Sequence, residues 1–151
     1  MKLLNKGSFT EVYEHTEDTV LLVTKCQVKL AILEYCQDNV FAPVLYKDGD
    51  KIISKKYIEV TNPKEQLKTD HYQYYLDLVN AMEGGLGYVD LRNRLETISN
   101  NIIKESAIQI LDSIYRYNNN KDTIYNDISK QNILTDEEGN LILNDIFNIS
   151  P

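Results

Sequence analysis

The sequence is short of several residue types, and each shortage excludes a class of protein. Tryptophan is absent, and histidine and cysteine occur twice each. Two cysteines, Cys26 and Cys36, are too few for a disulfide framework, and neither lies in a Cys/His cluster with zinc spacing. No apolar run approaches the roughly 18 residues that cross a bilayer, and the first residues lack the apolar segment of a signal peptide. We therefore expect a cytoplasmic protein with no membrane partner.

Positive charge is also scarce. The 151 residues include 16 Lys plus Arg against 23 Asp plus Glu, which gives a formal net charge of −7. A nucleic-acid or anionic-membrane partner would need a net basic face, so the balance argues against both. It remains compatible with a polyphosphate bound in one local basic pocket. Apolar residues make up 42% and charged residues 26%, as in an ordinary globular protein.

The first 60 residues have the pattern of strands around one helix. Residues 9–13 form a short β pattern, and the β-branched run 19–24 predicts a strand. Apolar positions recur at helical spacing across 27–37. Residues 44–46 and 51–54 then predict two strands joined by a Lys-Asp-Gly-Asp turn.

The second half is mainly helical until its last thirty residues or so. Helices are predicted over 72–82 and 89–98. The clearest amphipathic stripe runs over 103–117 and predicts a helix facing the core. Residues 133–135 and 141–143 then predict a hairpin. Strands with one helix, followed by helices and a hairpin, indicate the α+β class with two subdomains.

Four local features could carry chemistry. A glycine turn at Gly7 could let backbone N–H groups approach phosphate oxygens. Lys25, at the end of the strand 19–24, could neutralise phosphate charge. Asp127 could accept a hydroxyl proton, while the Asn132 amide oxygen and the Asp145 carboxylate could hold Mg²⁺, which prefers oxygen. Taken singly, each feature is more often a turn or a solvated side chain; their order along the chain favours the functional interpretation.

Because these four features follow one another in this order, the chain resembles the protein-kinase-like superfamily. Residues 5–13 resemble the glycine-rich loop, and residues 22–25 resemble the strand motif whose lysine binds phosphates. Residues 126–134 resemble the catalytic loop, and residues 144–147 stand where the family has its metal-binding motif. The closest likeness is to the compact early Ser/Thr protein kinases of T7-like phages.

The resemblance implies one kinase-like domain over residues 1–151. It would have a small β-rich N-lobe with one helix, at about 1–60, and a truncated, mainly helical C-lobe, at about 61–151. It also implies ATP and Mg²⁺ as cofactors and three sets of site residues. The catalytic set is Asp127, Lys130 and Lys25; the cofactor-binding set is Gly7, Ser8, Phe9, Val12, Lys25 and Glu34; the metal-binding set is Asn132 and Asp145.

The sequence also departs from the family pattern. Tyr125 and Asn126 replace the usual His-Arg pair, Ser129 stands where a lysine usually contacts the γ-phosphate, and Lys130 follows it. Only six residues follow Asp145. An activation segment and the helices that complete a large lobe are therefore not expected, and their loss is compatible with an exposed apolar patch and a homodimer.

Three functions remain open from the sequence. The first is an active Mg·ATP-dependent kinase that phosphorylates Ser or Thr of host proteins. The second is a pseudokinase that keeps the fold and acts by binding a host protein. The third is a small-molecule kinase of the aminoglycoside or choline type, although such enzymes normally have a large helical substrate lobe.

Overall fold

A computed structural model describes residues 1–7, 9–129 and 132–149. Across these residues, no helix combines the length and the apolar character that a membrane crossing requires. Along the chain, six strands with one helix come first, then four helices, then four short strands. This arrangement confirms the predicted α+β class.

The first half of the chain forms a five-stranded antiparallel sheet in the order β1-β2-β3-β5-β4. The central strand β3 buries Val20, Leu21 and Leu22, as its run of β-branched and apolar residues predicts. The strands are β1 (Leu3–Lys6), β2 (Thr10–Glu14), β3 (Thr19–Thr24), β4 (Leu45–Asp48) and β5 (Lys51–Lys55).

One helix, α1 (Gln27–Tyr35), lies between β3 and β4 in the chain. It buries Val28, Ala31 and Ile32 at helical spacing and packs against the long helix of the second half. It ends two residues before the predicted boundary. The backbone at Cys36 is no longer helical. Its N–H donates to the Ile32 carbonyl, and this bond satisfies one of the free carbonyl groups at the helix end.

Four helices follow: α2 (Pro63–Gln66), α3 (Thr69–Met82), α4 (Tyr88–Glu96) and α5 (Asn101–Tyr117). The predicted amphipathic stripe forms the buried face of α5, where Ile103, Ile110 and Ile114 are fully buried. The Asn100 side chain accepts hydrogen bonds from the backbone N–H groups of Ile102 and Ile103. This N-cap explains why α5 begins at that point.

Five short strands lie outside the first sheet. The strand β6 (Ile58–Glu59) precedes the four helices, and four strands follow them: β7 (Ile124–Asn126), β8 (Ile133–Thr135), β9 (Leu141–Leu143) and β10 (Phe147–Ile149). β8 and β9 form the predicted hairpin. β6 extends the hairpin to a three-stranded sheet, and β10 pairs separately with β7. Both pairings position the loops on either side of the hairpin.

One cluster of buried apolar residues joins the two halves of the chain. It includes Leu22 and Ile32 from the first half and Ile110, Leu143 and Phe147 from the second. The Leu143 N–H also donates to the Phe41 carbonyl at 2.7 Å. The hairpin is therefore held against the segment that leads from α1 to β4.

Candidate functional site

A cavity of about 600 Å³ lies between the five-stranded sheet and the loops of the second half. It brings together six of the residues on which the sequence prediction depends. The glycine turn closes one side of it, and the loop after β7 and the end of β9 line the other. The predicted site residues that line it are Gly7, Phe9, Val12, Asp127, Asn132 and Asp145.

The glycine turn connects β1 to β2 through a backbone hydrogen bond from the Gly7 N–H to the Thr10 carbonyl, at 2.9 Å. A Cβ at Gly7 would find only the Thr10 carbonyl oxygen within 4 Å, at 3.8 Å. The turn is therefore open, and its backbone can be approached by a ligand. Phe9 is exposed at the edge of the cavity.

The loop after β7 holds Asp127 and Asn132 by hydrogen bonds within the loop. The Asn132 Nδ2 donates to the Asp127 carbonyl oxygen at 2.9 Å, and the Asn132 backbone N–H donates to the Ser129 carbonyl at 3.0 Å. Asn132 is buried. Because its amide nitrogen is engaged by the loop, its Oδ1 is the atom left to meet a cation or a donor.

The Asp127 carboxylate is oriented by the strand that follows Asp145. Asn148 donates its Nδ2 hydrogen to Asp127 Oδ2 at 2.7 Å, and the Asp127 N–H donates to the Ile146 carbonyl at 2.8 Å. Pairing of β10 with β7 places Asn148 opposite Tyr125. Asn148 thus holds one carboxylate oxygen, and none of the described residues is hydrogen-bonded to the other.

Asp145 lies in the turn between β9 and β10 with a backbone φ of 55°. Aspartate and asparagine adopt this left-handed region more readily than other residues with a side chain. Its carboxylate oxygens both accept from the Lys29 Nζ at 2.7 Å. Lys29 also donates to Asn144 Oδ1 at 2.9 Å. The Lys29 side chain is 7% exposed and that of Asp145 is 19% exposed.

Lys25 does not line the cavity. Val20 and Leu22 of β3 do so, and side chains alternate between the two faces of a strand. Lys25 directly follows the last residue of β3, Thr24; its side chain is exposed, and its backbone N–H donates to the Phe9 carbonyl at 2.8 Å. The lysine that reaches the cavity from this part of the chain is Lys29, on the first turn of α1.

Glu34 also lies away from the cavity lining. It is an exposed residue near the end of α1, and it is not placed beside either Lys25 or Lys29 by any ion pair among the described residues. The predicted contributions of Ser8 to cofactor binding and of Lys130 to catalysis lie outside the described residues.

Lysines are concentrated at the cavity although the chain as a whole is acidic. Among the residues that the structure describes, four lysines line it against three acids, Glu59, Asp127 and Asp145. Positive charge in a cleft attracts anions. The lysines are Lys6, Lys29, Lys55 and Lys56.

The cavity also has an apolar part and a buried thiol. Burial raises the pKa of the Cys26 thiol, and the nearby Asp145 carboxylate raises it further. Cys26 is therefore a packing residue rather than a reactive thiolate. The apolar lining consists of Leu4, Val12, Val20, Leu22, Leu45 and Leu134.

The oxygen donors at the cavity suit a magnesium ion that is bound together with phosphates. They suit a permanently bound metal less well. In residues 1–7, 9–129 and 132–149, no group of three or more His, Cys, Asp or Glu side chains could hold a metal ion. The cavity offers the Asp145 carboxylate and the Asn132 amide oxygen. Mg²⁺ in phosphoryl-transfer sites is commonly held by one or two carboxylates together with substrate phosphates and water.

Two residues of the site were missed by the sequence prediction. Lys29 had a usable signal, since a lysine beside the buried positions Val28 and Ile32 of a helix needs an acidic partner. Asn148 had no such signal in the sequence, because its role depends on the pairing of two three-residue strands.

Comparisons of the chain with protein-family models, with curated proteins and with solved structures find no match.

Proposed function

We propose that this chain is a minimal kinase-like protein that transfers the γ-phosphoryl group of Mg·ATP to Ser or Thr hydroxyls of proteins. The observation that carries the proposal is the meeting of the glycine turn, Asp127, Asn132 and Asp145 at one cavity. These residues come from both ends of the chain. The resemblance to phage Ser/Thr kinases makes proteins of a bacterial host the expected substrates, and the cytoplasm the expected location.

The first half of the chain supports the kinase-like interpretation through the order of its elements. Three antiparallel strands, one helix and a further hairpin follow one another there, and the resemblance implies a small β-rich N-lobe with one helix. The apolar wall formed by Leu22, Leu45 and Leu134 suits a flat purine base. The lysines at the cavity suit the polyphosphate.

Asp127 has the geometry of the group that receives the substrate proton. Asn148 holds its Oδ2, so Oδ1 can accept the hydroxyl hydrogen. The hydroxyl oxygen then forms a bond to the γ-phosphorus, the bond from that phosphorus to the β–γ bridging oxygen breaks, and ADP leaves with the electron pair. Mg²⁺, when bound at Asp145 and Asn132, would neutralise charge on the phosphate oxygens.

One observation favours a second candidate function, the pseudokinase. Both oxygens of Asp145 accept hydrogen bonds from Lys29, so the carboxylate is already neutralised by a cation of the chain. A protein that kept this pair would bind a host protein without transferring phosphate. The small-molecule kinase ranks third, and consumption of ATP with aminoglycosides or choline would favour it over the first.

Transfer of labelled γ-phosphate in bacterial lysate tests the proposal. Purified wild-type protein with Mg²⁺ and labelled ATP should label proteins of a heat-treated lysate, in which other kinases are inactive. Asp127→Asn should abolish that labelling, because the amide cannot accept the proton. Asp48→Asn, a matched change on an exposed residue of β4, should retain it. Labelling that survives Asp127→Asn would contradict the proposal, and so would its absence with the wild type.

We also propose that the protein forms a homodimer. Sedimentation of the purified chain would measure its mass in solution. A mass of about two chains would support it; a single-chain mass at all concentrations used in the assay would contradict it.

A further inference from the structure

The ion pair between Lys29 and Asp145 occupies the centre of the candidate site. The Lys29 ammonium has three N–H donors, and it has three acceptors within 2.9 Å: both oxygens of Asp145 and Oδ1 of Asn144. All of its hydrogen-bonding capacity is therefore directed at the turn that carries the candidate metal ligand. The side chain is 7% exposed, so water screens its charge little.

We propose that Lys29 is the residue that binds the nucleotide phosphates, and that it exchanges Asp145 for those phosphates when the nucleotide enters. This inference rests on the proposed function, since it assigns a nucleoside triphosphate to the cavity. It transfers to a helix residue the role that the sequence predicted for Lys25. It also makes the ion pair the resting state of the site.

Position and burial distinguish Lys29 from the other lysines. Lys25 is exposed and does not line the cavity, while Lys6, Lys55 and Lys56 line the cavity but are exposed to water. A buried ammonium interacts more strongly with a phosphate than an exposed one does. Its surroundings favour an anion as well, because α1 has no acidic residue in its first turn and no side-chain hydrogen bond at its N-cap.

The exchange links the binding of the nucleotide to the charge at position 145. Without a divalent ion, the Asp145 carboxylate repels the phosphates and competes with them for the Lys29 ammonium. Once the ammonium has moved to the phosphates, the Asp145 oxygens are free for the cation that accompanies the nucleotide. Removing the carboxylate should therefore strengthen the binding of metal-free ATP, provided that Lys29 is present.

The test measures the affinity for ATP in EDTA by calorimetry or by displacement of a fluorescent nucleotide. We expect Asp145→Asn to bind metal-free ATP about tenfold more tightly than wild type, a change of the size that one freed charge interaction gives. Adding Lys29→Met should reverse the gain. The Lys25→Met variant should bind ATP as tightly as the Lys64→Met variant, which is a control at an exposed residue of α2.

The double variant, Lys29→Met with Asp145→Asn, controls for misfolding caused by an unpaired charge. Lys29→Met alone leaves Asp145 without its partner, whereas Lys29→Met with Asp145→Asn leaves no unpaired charge. Circular dichroism and a thermal transition check each variant, and Lys29→Arg, which keeps the charge, should retain part of the gain in the Asp145→Asn background.

The outcomes separate this inference from the proposed function. Equal ATP affinities of Asp145→Asn with and without Lys29→Met overturn the inference, whether or not the wild type transfers phosphate. A loss of affinity in Lys25→Met but not in Lys29→Met overturns it as well. The expected affinity pattern without any γ-phosphate transfer supports the inference and counts against catalysis. No ATP binding by any variant overturns both.

Discussion

At the scale of single residues, Asn148 links the strand that follows Asp145 to the Asp127 carboxylate. It lies three positions after Asp145 and donates to Asp127 Oδ2 at 2.7 Å. Its position is fixed by its register opposite Tyr125. An asparagine is well suited here, because its amide supplies a hydrogen-bond donor without adding a positive charge beside the proton acceptor.

Asn148→Asp should shift the pH dependence of phosphoryl transfer. A second carboxylate within hydrogen-bonding distance of Asp127 disfavours its ionised form. We expect the acid limb of the kcat/KM profile to move up by about one pH unit. The measurement is kcat/KM between pH 5 and 9.

A matched control is Asn80→Asp, which makes the same change of charge on an exposed residue of α3. Asn148→Ala removes the hydrogen bond without adding a charge, so it should shift the acid limb less than Asn148→Asp does. Superimposable profiles for Asn80→Asp and Asn148→Asp would show that Asn148 does not act on Asp127.

The residue scale also shows where sequence reasoning was sufficient and where it failed. The motif order predicted that Asp127, Asn132 and Asp145 share a site, and they line one cavity. The motif also pointed to Lys25, which lies just past the end of β3, is exposed and does not line the cavity. The left-handed backbone of Asp145 and the Asn148 hydrogen bond depend on tertiary pairings that no local pattern encodes.

At the scale of elements, α5 is the scaffold for the second half of the chain. It packs against α1 on one side and α4 on the other, and it directly precedes the segment that leads to β7 and Asp127. Its first turn is capped by Asn100, whose Oδ1 accepts from the Ile102 N–H at 2.9 Å. The position of the loop that carries Asp127 therefore depends on where α5 starts and ends.

Asn100→Ala should lower the free energy of unfolding by about 1 kcal/mol, because two N–H groups at the helix start lose their acceptor. Urea denaturation followed by circular dichroism measures the change. Asn101→Ala is the control. That residue is exposed in the first turn, and alanine has the higher helix propensity there. Equal losses of stability in both variants would refute the cap as the cause.

Most elements were predictable, including the three-residue strands β8 and β9, which are joined by a turn; three other short strands were not. The strand at 19–24 was predicted with its observed bounds, and the helices α1, α3, α4 and α5 were predicted within a few residues of theirs. β6, β7 and β10 contain two or three residues each, too few to show a period. They form because partners distant in the chain offer hydrogen bonds, and those pairings place the site loops.

At the scale of the whole molecule, His71 connects α3 to the hairpin that ends at Asp145. Its Nδ1 accepts the Leu141 N–H at 2.8 Å, which requires the neutral ring with its hydrogen on Nε2. The ring packs against Phe41 and Tyr74. Burial lowers the pKa of His71, and the Lys68 ammonium lowers it further, while Asp70 and Asp136 oppose the shift.

Stability should therefore fall as the solution is acidified. The unfolded chain takes up a proton at His71 near its usual pKa of about 6.5, whereas the folded chain resists that proton to lower pH. The contribution is present above the unfolded pKa and is lost as the pH falls from there through the lower, folded pKa. Thermal midpoints between pH 8 and 5 measure it.

Two histidine variants isolate the cause. His71→Gln keeps a hydrogen-bond acceptor but does not titrate, so its midpoint should fall less with acidification than that of the wild type. His15→Gln, at an exposed position, should follow the wild type. If acidification lowered the thermal midpoints of His71→Gln and wild type by the same number of degrees, another group would be responsible for the acid sensitivity.

The pairing of β10 with β7 has a consequence for the kinetics of hydrogen exchange. The Asp127 amide hydrogen is bonded to the Ile146 carbonyl, next to a ladder of only three residue pairs. It can exchange with deuterium only when this short ladder separates, and the same opening withdraws Asn148 from the Asp127 carboxylate. The exchange rate of this one amide therefore reports how often the two carboxylate segments come apart, and its slowing by a bound molecule would report how far that molecule holds them together.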